Sequence, residues 1–417
     1  MNSTISLLLR ALGSLKLSVV LVVLLALLTW LGTMAQVEHG LFVAQRDYFE
    51  SWYVWAEMPL AFWGTPLGKI YLPLPGGYLV MLVLFLNLVV GGIGRLRLRR
   101  ATVGVLITHL GVGMLLIAGF VKMTASTSGR LALYEARTDM AMGDRVTQDA
   151  SYVSFHDYEL ALLQDGGDTI TERVVPEAVL VAAAKATVTL RPEGLPFAIE
   201  VHHWLDNCRP LPKPPMIDAL PTPVVDGVFL QPQDVQAERT DNMAGCYVTV
   251  VEPGGPRHEG IVVGDEWRPL TRYRTPFTFT VQGVRYGLDL RRVTSDLPFA
   301  MRLDEFRKSD HPGTANARDF RSFVTVIDGE GAAAREQKAQ IYMNQPLRRD
   351  GYVLYQTSWG PPDNSGPPFY SVFEVARNPS DQWPFYAALV IALGLLVHFG
   401  TKIFSFLNSS TREALSS

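Results

Sequence analysis

The sequence predicts a membrane protein of mixed α and β class. Four transmembrane helices are expected, with a large extracytoplasmic β-rich domain, sandwich- or barrel-like and internally repeated, between the third and the fourth. Three observations predict this. Apolar residues gather into four runs without Asp, Glu, Lys or Arg, each close to the roughly 20 residues that cross about 30 Å of hydrocarbon. Basic residues flank those runs on one consistent side. The segment 122–383 alternates short β-branched or aromatic stretches with Gly, Pro and Asp turns and lacks long helical periodicity.

Composition agrees with a membrane class. Of the 417 residues 48% are hydrophobic and 18% charged, and the mean hydropathy of +0.14 is high for a chain of this length. The formal charge of −3 is near balance, so no nucleic-acid partner is expected.

The elements follow in order. Residues 1–35 hold a cytoplasmic N-terminus and the first run, 17–34. "TMAQ" (33–36) loosely resembles a signal-peptidase site, but the apolar run is long enough to span. Residues 36–76 form an external loop dense in aromatics: Phe42, Tyr48, Phe49, Trp52, Tyr53, Trp55, Phe62, Trp63 and Tyr71. Such residues favour the membrane interface, and a helix lying on the outer leaflet is the simpler expectation. The sharper one is a wall for a flat apolar ligand, with His39 as its polar contact. The second run is 77–94, the basic cytoplasmic loop "RLRLRR" lies within 95–101, and the third run is 102–121. The fourth run, 384–401, precedes a cytoplasmic tail, 402–417, that carries Lys402 and Arg412. With Arg10 and Lys16 before the first run, the positive-inside rule puts both termini in the cytoplasm and 122–383 outside.

The external domain contains an echo. "LPFAIEVHHW" (195–204) matches "LPFAMRLDEF" (297–306), and "GCYVTVVEPGG" (245–255) matches "RSFVTVIDGEG" (321–331). Two related β-units are expected, about 150–270 and 271–380. The echo sets Cys246 where Ser322 stands, which makes a small residue on a buried strand the default there. The other cysteine, Cys208, shares the oxidising outer compartment. Two readings stay open: a Cys208–Cys246 disulfide, or a thiol pair exchanging electrons with a substrate. No C-x-x-C motif supports the second.

Several stretches together resemble the ResB-type proteins of cytochrome c biogenesis, called System II. They are "SLKLSVVLVVLLALLTWLGT" (14–33), "HLGVGMLLIAG" (109–119), "GRLALYEA" (129–136), "DFRSFVTV" (319–326) and "IYMNQPLRRDGYVLYQTSW" (341–359). In the last, Asn344, Pro346, Leu347, Gly351, Tyr355, Gln356 and Ser358 fit the family's N-x-P-L…G…Y-Q-x-S pattern. Ala136 departs from it, standing where members often carry Gly. The resemblance implies a bacterial cytoplasmic-membrane subunit of the cytochrome c synthase, multi-pass, that handles or delivers haem for attachment to apocytochrome c outside the membrane. It also implies a CcsA/ResC-type membrane partner with a tryptophan-rich loop, apocytochrome c itself, and a thioredoxin-like thiol reductant, all in membrane lipid. The chain has no C-x-x-C-H, so it is not itself a c-type cytochrome.

Of eight histidines, only His109 and His398 sit inside the apolar runs. An imidazole in hydrocarbon is costly unless something binds it. The structural reading gives each imidazole a helix carbonyl or a hydroxyl, with Thr108 and Thr401 nearby. The functional reading makes His109 and His398 axial ligands of haem iron, a transient b-type haem held as histidines on facing helices hold it. His109 is the stronger candidate because the resembling motif includes it. Counted along the helices, both lie in the cytoplasmic half, at depths about 7 Å apart. His202 and His203, adjacent on a strand, point to opposite faces and have no metal-ligand spacing with Cys208. No carboxylate pair, nucleophile–base pair or phosphate loop stands out, so a non-catalytic subunit of a haem-lyase complex is expected rather than an enzyme. The alternatives are a scaffold that binds no haem, or a membrane adaptor with an extracytoplasmic ligand-binding domain.

Overall fold

The computed structural model describes every residue except 1–2, 63–64, 138, 140–141, 144, 216–219, 265–275, 315–316, 330, 332–333, 362–365 and 417. Trp63 and the expected boundary between β-units at 270/271 lie outside the described residues.

In chain order the first elements are α1 (Ser3–Leu12), α2 (Leu15–Ala44), β1 (Tyr53–Phe62), β2 (Thr65–Pro75), α3 (Gly77–Asn87) and α4 (Val103–Ala125). Then come β3 (Thr127–Tyr134), β4 (Gln148–Asp165), β5 (Ile170–Pro176), α5 (Glu177–Leu180), β6 (Val188–Leu190), β7 (Ala198–Leu205), β8 (Cys208–Pro212), β9 (Val224–Val225), β10 (Val228–Pro232), β11 (Gly245–Val251) and β12 (Arg257–Val263). The last are β13 (Phe277–Val281), β14 (Val284–Asp310), β15 (Ala317–Asp328), β16 (Arg335–Tyr342), β17 (Leu347–Arg349), β18 (Tyr352–Gly360), β19 (Tyr370–Arg377) and α6 (Trp383–Ser416). The chain divides into a helical unit, Met1–Ser126 with Asn378–Ser417, and a β unit, Thr127–Arg377.

In the helical unit three helices are long and apolar enough to cross a membrane: Leu15–Phe49, Val103–Ala125 and Trp383–Leu407. The second predicted run is a shorter apolar helix, Gly77–Ile93, whose last turn, Leu88–Ile93, is π-helical. Asn87 is the polar residue in that run, and it is buried. Its amide donates to Leu12 O at 2.6 Å and Ser14 O at 3.1 Å, and its oxygen accepts from Ser18 Oγ at 2.6 Å. These carbonyls lie where α1 breaks into α2, a place where helix ends leave backbone groups unpaired. One asparagine thus pays for the break in an otherwise apolar contact.

The expected helix on the outer leaflet is replaced by a β-hairpin. Helix α2 runs on to Ala44, a π turn covers Gln45–Phe49, and β1 pairs antiparallel with β2 from Tyr53↔Pro75 inward. Proline explains the correction. Pro59, Pro66, Pro73 and Pro75 would each remove a donor and clash inside a helix, while a two-stranded ribbon tolerates them on its open edges. Val54 and Ala56 on one face of the hairpin are buried with Leu21, Leu28, Leu31 and Val80 of the helices.

The β unit is built on a ten-stranded antiparallel sheet, with the path β16-β15-β14-β4-β3-β19-β18-β17, to which β13 and β5 add. The ends of this path, β16 and the pair β17–β18, come together, so the sheet nearly closes as a barrel. A four-stranded sheet, β12-β11-β7-β6, and a small sheet of β8, β10 and β9 complete it. The echo in the sequence is reproduced down to register. Val201 of β7 pairs with Val248 of β11, and at the echoed positions Leu303 of β14 pairs with Val324 of β15. Cys246 and its counterpart Ser322 are both fully buried.

Two cores result. One packs Phe197, Ile199 and Val248 against Leu160, Phe279 and Leu288. The other fills the barrel with Leu133, Phe299, Leu303, Val324, Leu354 and Phe373. Strands β4 and β14 supply side chains to both. Arg291 of β14 holds Glu159 of β4 at 2.8 Å, both nearly buried, and also bonds Glu172 of β5. Leu303 has no exposed surface. Leu303→Ala is therefore expected to cost about 2–5 kcal/mol, as other buried leucines do. A thermal melt of the purified full chain checks this, and an unchanged midpoint would contradict the assignment of Leu303 to the barrel core.

Candidate functional site

His109 lies six residues into α4, and its partner belongs to the short helix. Its Nδ1 is 2.9 Å from Gly92 O. Gly92 sits in the π-helical last turn, where carbonyls lack a partner further along the helix. A carbonyl only accepts, so in this bond Nδ1 donates and carries the proton. Nε2 then keeps the lone pair. Gly92 leaves room for the ring, because a Cβ there would come within 3.2 Å of Nδ1. The structural reading of His109, a helix-carbonyl bond, is therefore realised through one nitrogen only.

His398 has different surroundings. It lies where α6 crosses α4, and its backbone nitrogen and Cα pack on Gly104, whose added Cβ would sit 2.7 Å from that Cα. Gly111 and Gly394 complete the crossing: a Cβ at Gly394 would lie 2.5 Å from both the backbone N and the Oγ1 of Thr108. Small residues at the contact let two membrane helices approach closely. His398 Nδ1 is buried and has no hydrogen-bond partner. Thr108 and Thr401, the expected hydroxyl partners, bond backbone carbonyls instead, Gly104 O at 3.0 Å and His398 O at 2.9 Å. Gly104, the residue level with His398, precedes His109 by five positions, about 7.5 Å of helix rise. The two imidazoles thus stand about 7.5 Å apart along α4 and meet different neighbours.

The remaining candidates fall elsewhere. His39 lies in α2, not in a loop, with Nε2 3.8 Å from Glu57. Together with Glu38 these side chains make a metal-like group, but Lys69 Nζ already sits among them, 2.5 Å from Glu38 and 2.8 Å from Glu57. His202 and His203 bond each other through Nδ1 at 2.9 Å, and His202 stacks on Tyr247.

Cys208 and Cys246 are both free and buried. They belong to different clusters: Cys246 faces the larger core, while Cys208 packs with Leu230 and Tyr247. Cys208 N donates to Met243 O at 2.8 Å, and its Sγ lies over Gly245. Gly245 and Tyr247 share one face of β11 and Cys246 takes the other, as the period of a strand requires. Burial pushes the Cys208 thiol up to about 12; burial first, and then the nearby Cys208, raises Cys246 too. Thiolate is the reactive form. Both thiols are therefore expected to resist an aromatic disulfide reagent at pH 7–9 in the folded chain and to react promptly after denaturation. Fast modification of the folded chain would contradict the burial.

One convergence went unseen in the sequence. Glu135, from "GRLALYEA", accepts from Phe306 N at 2.7 Å and donates its own N–H to Phe369 O at 2.9 Å. Phe306 stacks on Trp359, from "YQTSW", at 5.4 Å. With Arg307, Lys308 and Asp310, Phe306 and Phe369 line a cavity of about 640 Å³. Asn344 and Gly351 take positive φ in turns, and Gln356 donates to Ser371, itself bonded to Ser322 at 2.8 Å.

Over 65 residues the chain is 38% identical to the cytochrome c biogenesis protein CcsB of Picosynechococcus, covering 16% of this chain and 13% of that one. Over 100 residues it is 28% identical to protein NrfI of Wolinella succinogenes, covering 24% of this chain and 10% of that one. The matched stretches thus span a small part of either relative. Residues 277–366, from the start of β13 past the end of β18, match the ResB-like family. It is this segment of the chain that is similar to the ResB-like family.

Proposed function

We propose that the chain is a membrane subunit of a cytochrome c biogenesis apparatus and that its helical unit holds haem on the way to apocytochrome c. The family match and both relatives support the biogenesis role. The observation that carries the haem assignment is the bond from His109 Nδ1 to Gly92 O. A ligating histidine usually donates its other ring N–H to a carbonyl or carboxylate, which fixes the tautomer and aims the ring. His109 has that arrangement, with Nε2 free to bind iron. His398 is the second candidate, because a buried Nδ1 without a partner in an apolar setting gains from any ligand that orders the ring. When bound, haem would supply the iron and the vinyl groups for thioether formation. The chain would bind, orient and shield it.

On this reading the unit sits in the bacterial cytoplasmic membrane, with Arg10, Lys16 and the segment 95–100 on the cytoplasmic side. The β unit lies outside, where a CcsA/ResC-type partner, apocytochrome c and a thiol reductant would meet it. The test is the visible spectrum of the full chain purified from membranes, alone and with its partner co-expressed. A Soret band is expected in at least one preparation. Its absence from both would favour the scaffold reading.

A further inference from the structure

The helical unit carries two rulers for the depth of its hairpin. Along α2 each residue rises about 1.5 Å, so Gly32 stands about 26 Å and Glu38 about 35 Å above Leu15. Helix α3 gives the second ruler. At one end Gly91 packs on Gly13, where an added Cβ would meet the Gly13 Cα at 2.9 Å; at the other, Gly77 packs on the backbone of Phe49. Phe49 in turn lies against Gly32. From the level of Gly13 to that of Phe49, Gly91 back to Gly77, α3 and its π turn therefore cover about 21 Å, well short of the roughly 30 Å of hydrocarbon.

The hairpin continues from there. Its outer face presents the pairs Tyr53↔Pro75, Trp55↔Pro73 and Glu57↔Tyr71 in order, each step being about 7 Å. Glu57 reaches His39, and Lys69 bonds Glu38 and Glu57, so the charged rung stands level with Glu38. Both rulers thus place Tyr53 and Trp55 at about 20–30 Å and the first charges at about 35 Å. Tyr53 is 72% exposed, Trp55 60% and Trp52 56%, whereas Val54 and Ala56 on the other face are buried. A two-stranded ribbon cannot go deeper, because its open edges would leave backbone groups unpaired in hydrocarbon.

We propose that the aromatic face of the hairpin lies in the lipid headgroup zone and completes, as a collar, the span that α3 leaves short. The partner of this face is the bilayer surface itself, on the outer leaflet in the orientation proposed above. Aromatic rings with one polar edge are the side chains suited to that zone. The inference rests on the helical unit being a membrane unit.

The test uses the full chain in liposomes of phosphatidylcholine and phosphatidylglycerol, with a nitroxide at Trp55→Cys, Lys69→Cys or Val23→Cys in turn. The unsubstituted chain, with its two buried thiols, supplies the blank. Val23 is 61% exposed on α2 and serves as the hydrocarbon standard. The label at 55 is expected to give a ratio of oxygen to water-soluble nickel-chelate collisions between that at 23, where oxygen dominates several-fold, and that at 69, where the chelate dominates. Tyr53→Cys repeats the measurement if Trp55→Cys does not fold. A label at 55 or 53 as open to the chelate as at 69 would place the face in water. Shielding from both reagents would place it under protein. Either overturns the collar, whereas chelate access at 23 would overturn the membrane reading beneath it.

Discussion

His109→Ala is expected to lower the haem content of the purified full chain at least tenfold, read as the Soret band per polypeptide. Loss of an outer partner of a metal ligand typically costs 10–100-fold in affinity, and loss of the ligand itself should cost no less. Two controls separate ligation from support of the fold. Added imidazole should restore the band in the alanine variant, because it can occupy the vacated position at the iron; a purely structural role would show no rescue. Gly92→Ala should keep the band but weaken it, since its new Cβ would press on Nδ1 from 3.2 Å and tilt the ring. His398→Ala, alone and combined with His109→Ala, tells whether the second imidazole contributes. A Soret band of full height in the double variant would end the assignment of either residue.

Gly394→Val should strongly destabilise the helical unit. Its Cβ alone would meet the backbone N and the Oγ1 of Thr108 at 2.5 Å, and backbone cannot move aside as a flexible side chain can. Overpacking typically costs about 1–3 kcal/mol, and here it would also part α4 from α6 at the level of His398. Gly400→Val is the matched control, because nothing lies within 4 Å of a Cβ there. Melting of the two variants in detergent should differ by several degrees, with Gly400→Val near the unsubstituted chain. Equal midpoints would mean that the crossing does not hold the helices together.

What could be seen in advance followed from period and charge. Uncharged runs marked the helices: the second, expected over 77–94, is the shorter apolar helix Gly77–Ile93, while the other three runs lie in helices long enough to cross a membrane. The LPF and VTV echo pointed to two related β-units; the pairing of the echoed strands, Val201 with Val248 and Leu303 with Val324, is visible only in the fold. The nine aromatics suit the membrane interface in a helix or a hairpin alike, and it is the prolines between them that forbid the helix. His109 was visible as an anomaly in an apolar run. Its partner was not, since the Gly92 carbonyl is offered by a π turn on another helix, a tertiary event. The same holds for Cys208 and Cys246: strand alternation sets the face of Cys246, but only the contact of Cys208 with Gly245 shows that the thiols lie on opposite sides of β11.

Strands β4 and β14 run unbroken through both cores of the β unit, and Arg291 clamps them with Glu159 between. The two repeats therefore do not behave as beads on a string. Neither can open without withdrawing half of a strand from the other, so the unit should melt in a single transition despite its doubled architecture. Damage to either repeat then becomes a failure of the whole β unit, and the chain presents that unit complete or not at all.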